Sequence, residues 1–137
     1  FINKGRLANK IDKNYVIILD GAHNVSGAKA LNKVLSSIGT NWQLIFGYLK
    51  TRQPTEFLNE LKSITQKIIT TEITGQENIF SSDKLFEIID KKVISVDKSK
   101  NLYEAIEIAS QNKLNVCICG SLYLAGEFLK NNQTIPN

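Results

Sequence analysis

The loop after the first apolar run carries polar residues that could bind a ligand. In "IILDGAHNVSGAKAL" the apolar residues end at Asp20, and Gly21, Ala22, His23 and Asn24 follow before a helical pattern begins. A carboxylate at a strand end can accept hydrogen bonds from vicinal hydroxyls such as those of a ribose, and a helix that starts here offers free N–H groups and a positive dipole end to an anion. Asp20 or Asn24 could instead serve only as a helix cap. A cap does not explain these positions together, so we predict that the loop is functional.

Two further loops and an upstream arginine place polar groups where they could reach the same ligand. "FGYLKTRQPTEF" offers Lys50 and Arg52 after the second apolar run, although lysines in loops are usually only solvated. "CGSLYLAGEF" places Ser121 at the start of the last helical pattern, where it could also be no more than an N-cap. Arg6 lies just before the first strand, and its guanidinium could reach a phosphate bound at the first loop.

The sequence lacks the motifs of several well-defined sites. It has no G-x-x-x-x-G-K-S/T phosphate loop, no G-x-G-x-x-G dinucleotide fingerprint and no G-x-S-x-G nucleophile elbow. The chain has one histidine and no cysteine near it in sequence, which excludes a hydrolytic triad and a zinc site. The formal charge of +4 is spread along the chain without a basic run, so nucleic acid is not predicted as a partner.

Length, composition and cysteine usage indicate the class of protein and its compartment. The chain has 137 residues, of which 42% are hydrophobic and 22% charged, as expected for one soluble domain. Cys117 and Cys119 alternate with apolar residues, so they are predicted to lie on the same side of a strand as small buried thiols in a reducing compartment. No apolar run has the length of a membrane span, and no signal-peptide pattern is present. We therefore predict a cytoplasmic protein without a membrane partner.

Short β-branched runs alternate with helical patterns along the chain. The runs "YVIILD", "WQLIFGY", "KIITTEI", "KKVISV" and "NVCICG" are apolar on consecutive positions, as in strands buried on both faces. Apolar residues at helical spacing lie between and after them, and they include Ala28, Leu31, Leu35, Ile38, Leu122, Ala125, Phe128 and Leu129. This alternation predicts an α/β, Rossmann-like fold with a mostly parallel sheet covered by helices on both faces. In such a fold, ligands bind at the carboxyl ends of the strands, where these loops lie.

Three motifs together carry a resemblance to a known family. "LDGAHNVSGAKAL", "FGYLK" and "GSLYLAGEFL", in this order and preceded by "GR", resemble the C-terminal domain of folylpolyglutamate synthase and bifunctional dihydrofolate synthase, members of the Mur ligase superfamily. The resemblance covers nearly the whole chain. It implies an ATP-dependent amide ligase, in which a carboxylate is phosphorylated to an acyl phosphate that the amino group of L-glutamate attacks. It also implies use of Mg²⁺, with no metal ligand and no tightly bound cofactor in this domain.

The resemblance assigns roles to five residues. Arg6 would contact ATP phosphates, and Asp20 would contact the ribose of the nucleotide. His23 would act catalytically beside the terminal phosphate and the glutamate site, while Ser121 and Lys50 would hold the glutamate. Two departures from the family stand out: Val25 follows "DGAHN" where a proline is usual, and "TRQ" at residues 51–53 stands where relatives often have "DKD", which changes the charge of the second loop.

The resemblance also predicts how the chain is organised and what it works with. Residues 1–13 are expected to lead in from an N-terminal ATPase domain absent here, residues 14–131 to form the Mur-ligase-type domain, and residues 132–137 to be a frayed tail. The partners are that domain, ATP, L-glutamate, and folate or dihydropteroate; a monomer is expected, and the isolated chain should be inactive. Which of the two substrates is used stays open. A non-catalytic nucleotide-binding module, or another amino-acid ligase of the superfamily, is the alternative; a receiver-like domain is disfavoured because Asp20 has no acidic neighbours.

Overall fold

Five parallel strands form one sheet, as the alternation of patterns predicts. The computed structural model describes residues 2–133 of the chain. Its strands are β1 (Ile17–Leu19), β2 (Trp42–Phe46), β3 (Thr65–Thr70), β4 (Ser95–Lys98) and β5 (Asn115–Cys119). Their order across the sheet is β1-β5-β2-β3-β4, and every neighbouring pair is parallel. The register places Leu44 opposite both Cys117 and Ile68.

Four of the five α-helices in the described chain begin at a residue whose side chain caps them. They are α1 (Val25–Ile38), α2 (Pro54–Asn59), α3 (Ser82–Ile88), α4 (Leu102–Ser110) and α5 (Leu122–Asn131), with a 3-10 helix at Ala8–Lys10. The side chains of Asn24, Ser81, Asn101 and Ser121 each accept a hydrogen bond from an N–H in the first turn of the helix that follows. Gly39 ends α1. Within residues 2–133, no helix combines the length and the apolar character needed to cross a membrane.

Two apolar clusters, one on each face of the sheet, form the core. One cluster joins α1, α2 and α3 to the sheet through Leu31, Leu35, Phe57, Leu61 and Leu85, among others. The other joins α4, α5 and the 3-10 helix to the opposite face through Leu7, Ala105, Ile106, Leu124 and Phe128, among others. All five residues of β2 are buried because helices cover both faces of this central strand. The predicted α/β, Rossmann-like architecture is therefore confirmed.

The structure differs from the sequence prediction at the ends of several elements. Ile38 is 46% exposed, and Leu122 and Leu129 are 69% and 52% exposed, although the helical pattern placed all three on the buried stripe. A 14-residue helix is about 21 Å long, whereas the five residues of β2 extend only about 17 Å, so the ends of α1 overhang the sheet. β4 lies at 95–98, later than the "KKVISV" run predicts, and Val93 of that run is 68% exposed.

Both ends of the described chain pack onto the domain. Leu7, Ala8 and Ile11 are buried in the α4–α5 cluster, so the predicted lead-in segment 1–13 contributes to the core of the domain. Asn132, which the prediction placed in the frayed tail, is 8% exposed and hydrogen-bonded to the N-terminal segment. Residues 134–137 of the predicted tail lie outside the described residues.

Candidate functional site

The three loops predicted to bind a ligand follow adjacent strands. β1, β5 and β2 are neighbours in the sheet, so residues 20–24, 120–121 and 47–53 leave the same edge. α1 and α2 lie on one face of the sheet, whereas α5 lies on the other. After β1 and β2 the chain therefore turns toward one face of the sheet, and after β5, which lies between them, it turns toward the other face. Open α/β sheets form a ligand crevice at such a switch point.

Two glycines allow these loops to approach one another closely. Gly120 has φ +105°, and a Cβ there would lie 2.2 Å from the carbonyl oxygen of Gly47 and 2.9 Å from the Phe46 ring. A Cβ on Gly21 would lie 3.0 Å from Cδ1 of Leu122, in the first turn of α5. Glycine at position 120 is therefore required by both backbone conformation and space.

Asp20 is partly exposed at the end of β1. Its N–H donates to the carbonyl oxygen of Ile118 on β5 at 3.0 Å, which extends the strand pairing by one residue. Its Oδ1 accepts from the N–H of Ala22 at 2.7 Å, and this bond folds the loop back toward α1. One carboxylate oxygen thus shapes the loop, and the second oxygen can accept hydrogen bonds from a ligand.

His23 has an exposed side chain and a tightly held backbone. Its Nδ1 lies 3.3 Å from the carbonyl oxygen of Gly21. The hydroxyl of Tyr48, in the loop after β2, donates to the carbonyl oxygen of His23 at 2.6 Å. Burial raises the pKa of Tyr48 to about 12, against the opposing effect of the Arg52 charge. The hydroxyl is therefore protonated at neutral pH and ties the first loop to the second.

Asn24 and Ser121 are both helix caps in this structure. Asn24 Oδ1 accepts from the N–H of Gly27 at 2.8 Å at the start of α1. Ser121 Oγ accepts from the N–H of Tyr123 at 3.0 Å, and Ser121 is 2% exposed. A hydroxyl can donate one hydrogen bond while it accepts others, so the cap leaves the Ser121 proton available to a ligand that reaches it.

Lys50 projects from a loop that a second segment supports. The N–H of Lys50 donates to the carbonyl oxygen of Asn78, and Leu49 pairs with Ile79 in an isolated antiparallel bridge. The Lys50 side chain is exposed. The segment at residues 78–80 therefore sets the backbone of the second loop and leaves the ammonium group facing solvent.

Arg6 lies in a different surface cavity from the three loops. The exposed Arg6 lines a cavity of about 570 Å³ between the 3-10 helix, α4 and α5, together with Lys10, Asn101, Tyr103 and Glu127. The lining contains no residue of loops 20–24, 47–53 or 120–121. The structure thus brings Asp20, His23 and Ser121 to one edge, and it does not group Arg6 with them.

The charged groups of the described chain do not assemble a metal site. Among residues 2–133, no three His, Cys, Asp or Glu side chains lie together as ligands. Cys117 and Cys119 are buried, free thiols on β5, as predicted. A hydrogen bond with Cys119 and burial raise the pKa of the Cys117 thiol, and the Asp20 charge acts in the same direction. Both thiols are therefore buried core residues.

A family model decides the identity of the domain. The model described as dihydrofolate synthetase, C-terminal domain, matches residues 3–131. The chain belongs to this family. The predicted resemblance is therefore confirmed, with the two departures noted above. Among curated protein sequences, none matches the chain.

Solved structures of related enzymes share the fold of this dihydrofolate synthetase domain. Folylpolyglutamate synthase of Mycobacterium tuberculosis complexed with ADP matches with a TM-score of 0.77 and 20% identity, over 88% of this chain and 30% of that one. Folylpolyglutamate synthase of Thermotoga maritima matches with a TM-score of 0.71 and 25% identity, over 98% and 32%. The bifunctional folylpolyglutamate synthase/dihydrofolate synthase of Yersinia pestis complexed with AMPPNP and Mn ion has a TM-score of 0.69 and 22% identity, over 83% and 28%. The chain therefore spans about a third of the length of these relatives.

Sequence reasoning on the dihydrofolate synthetase domain missed Tyr48 and the groove beside it. Tyr48 stands inside the quoted "FGYLK" motif, but its contact with His23 joins residues 25 positions apart. A groove of about 340 Å³ lies where α1 and α2 begin, and its lining is formed by Asn24, Val25, Ser26, Tyr48, Arg52, Gln53 and Glu56. The sequence does place Tyr48 beside Gly47 at the end of a predicted strand, and this was the available sign that Tyr48 could lie at the ligand edge of the sheet.

Proposed function

We propose that this domain forms part of an ATP-dependent ligase that joins L-glutamate to folate or dihydropteroate through an acyl phosphate. It acts together with an N-terminal ATPase domain, which holds the phosphate loop and the folate pocket. The observation that carries the proposal is the meeting of Asp20 and His23 at the switch point of the sheet, in a domain of the dihydrofolate synthetase family. ADP, AMPPCP and AMPPNP in the solved relatives support nucleotide use.

Asp20 and His23 are the nucleotide contacts of this proposal. The free carboxylate oxygen of Asp20 accepts hydrogen bonds from the ribose hydroxyls. His23 reaches the terminal phosphate and the incoming glutamate, because its exposed imidazole stands on a backbone that Tyr48 holds. Amide formation needs the amine held against the acyl carbon, and a fixed loop lowers the entropic cost of that alignment.

Ser121, Lys50 and Arg6 have supporting roles. Lys50 offers its ammonium group to a carboxylate of the glutamate, and Ser121 donates its remaining hydroxyl proton to the same group. Arg6 contacts the ATP phosphates across the interface with the ATPase domain, which agrees with its exposure outside the three loops. The described residues offer no carboxylate cluster of the kind that Mg²⁺ prefers, so we assign the ion no ligand in this domain.

The test is steady-state kinetics of the complete ligase with substitutions at the first loop. Asp20→Asn keeps the oxygen that accepts from Ala22 but removes the charge, and it should raise the KM for ATP. His23→Ala should lower kcat and raise the KM for glutamate. Each lost charge-assisted contact is expected to cost roughly tenfold to a hundredfold.

Two control variants separate ligand binding from loop shape. Asp12 Oδ1 accepts from the N–H of Asn14 at 2.8 Å, the same local bond that Asp20 makes with Ala22. Asp12→Ala should therefore leave ATP kinetics unchanged, as should Lys29→Ala on the exposed face of α1. Wild-type kinetics in both Asp20→Asn and His23→Ala would reduce the loop to a helix cap and favour a non-catalytic module.

A further inference from the structure

The end of α5 is bonded to the turn that carries Arg6. Oδ1 of Asn132 accepts from the N–H groups of Leu7 and Ala8, at 3.0 and 2.8 Å. Its Nδ2 donates to the carbonyl oxygen of Lys4 at 2.8 Å. The N–H of Arg6 donates to the backbone carbonyl oxygen of Asn132 at 3.2 Å. One asparagine therefore satisfies four backbone groups within residues 4–8, one of which is the N–H of Arg6 itself.

Gly5 makes this arrangement sterically possible. Its φ of +124° lies in a region that side chains rarely adopt, and a Cβ there would be 2.1 Å from the carbonyl oxygen of Asn132. Asn132 is 8% exposed, so its side-chain amide is removed from water and its polar atoms must find protein partners. The Asn132 amide and the backbone of residues 4–8 thus determine one another, 124 to 128 positions apart in sequence.

The consequence concerns the direction of the Arg6 guanidinium. Because the backbone on each side of Arg6 is held by Asn132, the direction in which the Arg6 side chain leaves the turn is set as well. An arginine that binds phosphate works through a planar fork, which depends on the direction from which its stem arrives.

We propose that Asn132 is a positioning residue, which sets the Gly5–Arg6 turn and thereby aims Arg6 at the ATP phosphates. The proposal rests on the phosphate role assigned to Arg6 under the proposed function. It adds a functional residue at a position that sequence analysis placed in a frayed tail. Asn132 itself has no contact with substrate.

The experiment is a double-mutant cycle in the complete ligase. Arg6→Ala should raise the KM for ATP by roughly tenfold to a hundredfold, the range for a lost charge-assisted bond. Asn132→Ala should raise the KM for ATP in the same direction and leave the KM for glutamate unchanged. The double variant should be no worse than Arg6→Ala alone, because Asn132 acts only through Arg6. Asn112→Ala is the matched control, since Asn112 follows α4 and its Nδ2 donates to Oε1 of Gln43 at 2.9 Å, away from the Arg6 cavity, so both KM values should be unchanged.

The possible outcomes separate this inference from the proposed function. A wild-type KM for ATP in folded Asn132→Ala, beside a raised value in Arg6→Ala, overturns the positioning role, and so do additive effects in the double variant. A wild-type value in Arg6→Ala overturns the phosphate role of Arg6 and the inference with it. If Asn132→Ala does not fold, the neutral and shorter Asn132→Ser replaces it. The proposal is supported if substitution of Asn132 raises the KM for ATP alone and has no further effect once Arg6 is alanine. It is overturned if the KM for ATP does not rise, or if it rises equally in the Arg6→Ala background.

Discussion

Replacing Tyr48 with phenylalanine removes a side-chain hydrogen bond that joins the first loop to the second. The hydroxyl donates to the carbonyl oxygen of His23 at 2.6 Å. The ring remains, so its stacking on Phe46 and its contact with Phe57, with centroids 5.1 and 5.4 Å away, are kept. The change therefore isolates one hydrogen bond, and we expect Tyr48→Phe to lower the free energy of unfolding by about 1 kcal/mol at pH 7.

The same substitution should change the response of stability to alkaline pH. Burial raises the pKa of Tyr48 from 10.0 to about 12, so between these values the unfolded chain loses the phenolic proton and the folded chain retains it. Because the folded state then binds more protons, the wild-type protein loses stability as the pH rises through this window. The loss reaches about 1.4 kcal/mol one pH unit above the ordinary value. Tyr48→Phe lacks this contribution, so its disadvantage at neutral pH should vanish near pH 11.

The assay is urea unfolding of wild type and variant between pH 7 and 11, followed by fluorescence. Trp42 is the single tryptophan and is fully buried, so its emission reports global unfolding. The difference between the two proteins cancels the titration of the other groups. Tyr123→Phe is the control, because the Tyr123 side chain is 52% exposed, and this substitution should change the free energy of unfolding by less than about 0.5 kcal/mol. A difference between wild type and Tyr48→Phe that is absent at pH 7, or that does not shrink toward pH 11, would refute the reasoning.

Two further pairs of variants test neighbouring features. Ser121→Ala and Ser81→Ala each remove a helix cap and should each cost about 1 kcal/mol in thermal unfolding. Only Ser121→Ala should also raise the KM of the complete ligase for glutamate. The same KM for glutamate in both variants would show that Ser121 is only a helix cap. Thr71 Oγ1 is buried without a hydrogen-bond partner among residues 2–133. Thr71→Val should therefore raise the free energy of unfolding by about 1 kcal/mol, seen as a higher urea midpoint. The adjacent Thr70 Oγ1 is bonded to Ser82, so Thr70→Val should lower the midpoint, and a common sign for both variants would contradict the account.

The sequence predicts helices and strands best where residues close together in the chain determine them. The apolar runs of β2 and β5 are buried on both faces, and such runs cannot lie elsewhere in a domain of this size. Asn24 and Ser81 cap helices because their side chains bond N–H groups three residues ahead, a contact that sequence spacing reveals directly. Asp20 and His23 could be found for the same reason, since both stand at one junction of strand and helix.

The remaining features depend on contacts between distant parts of the chain. Tyr48 meets His23 because the loops after β1 and β2 leave the same edge of the sheet and lead to helices on the same face, and periodicity does not reveal strand order. Asn132 looks like part of a polar tail in sequence, and its burial follows from the return of α5 beside the N-terminal segment.

The two caps of α5 connect separate parts of the proposed site. Ser121 caps the helix at the edge where the three loops meet, and Asn132 follows its other end and holds the turn that carries Arg6. Ten helical residues separate them by about 15 Å, and Leu124 and Phe128 fix the helix against the sheet. A helix buried along one face cannot shift at one end without moving the other. The proposed glutamate contact and the proposed phosphate contact are therefore held at a set spacing by one rigid element, although Arg6 lies in a separate cavity.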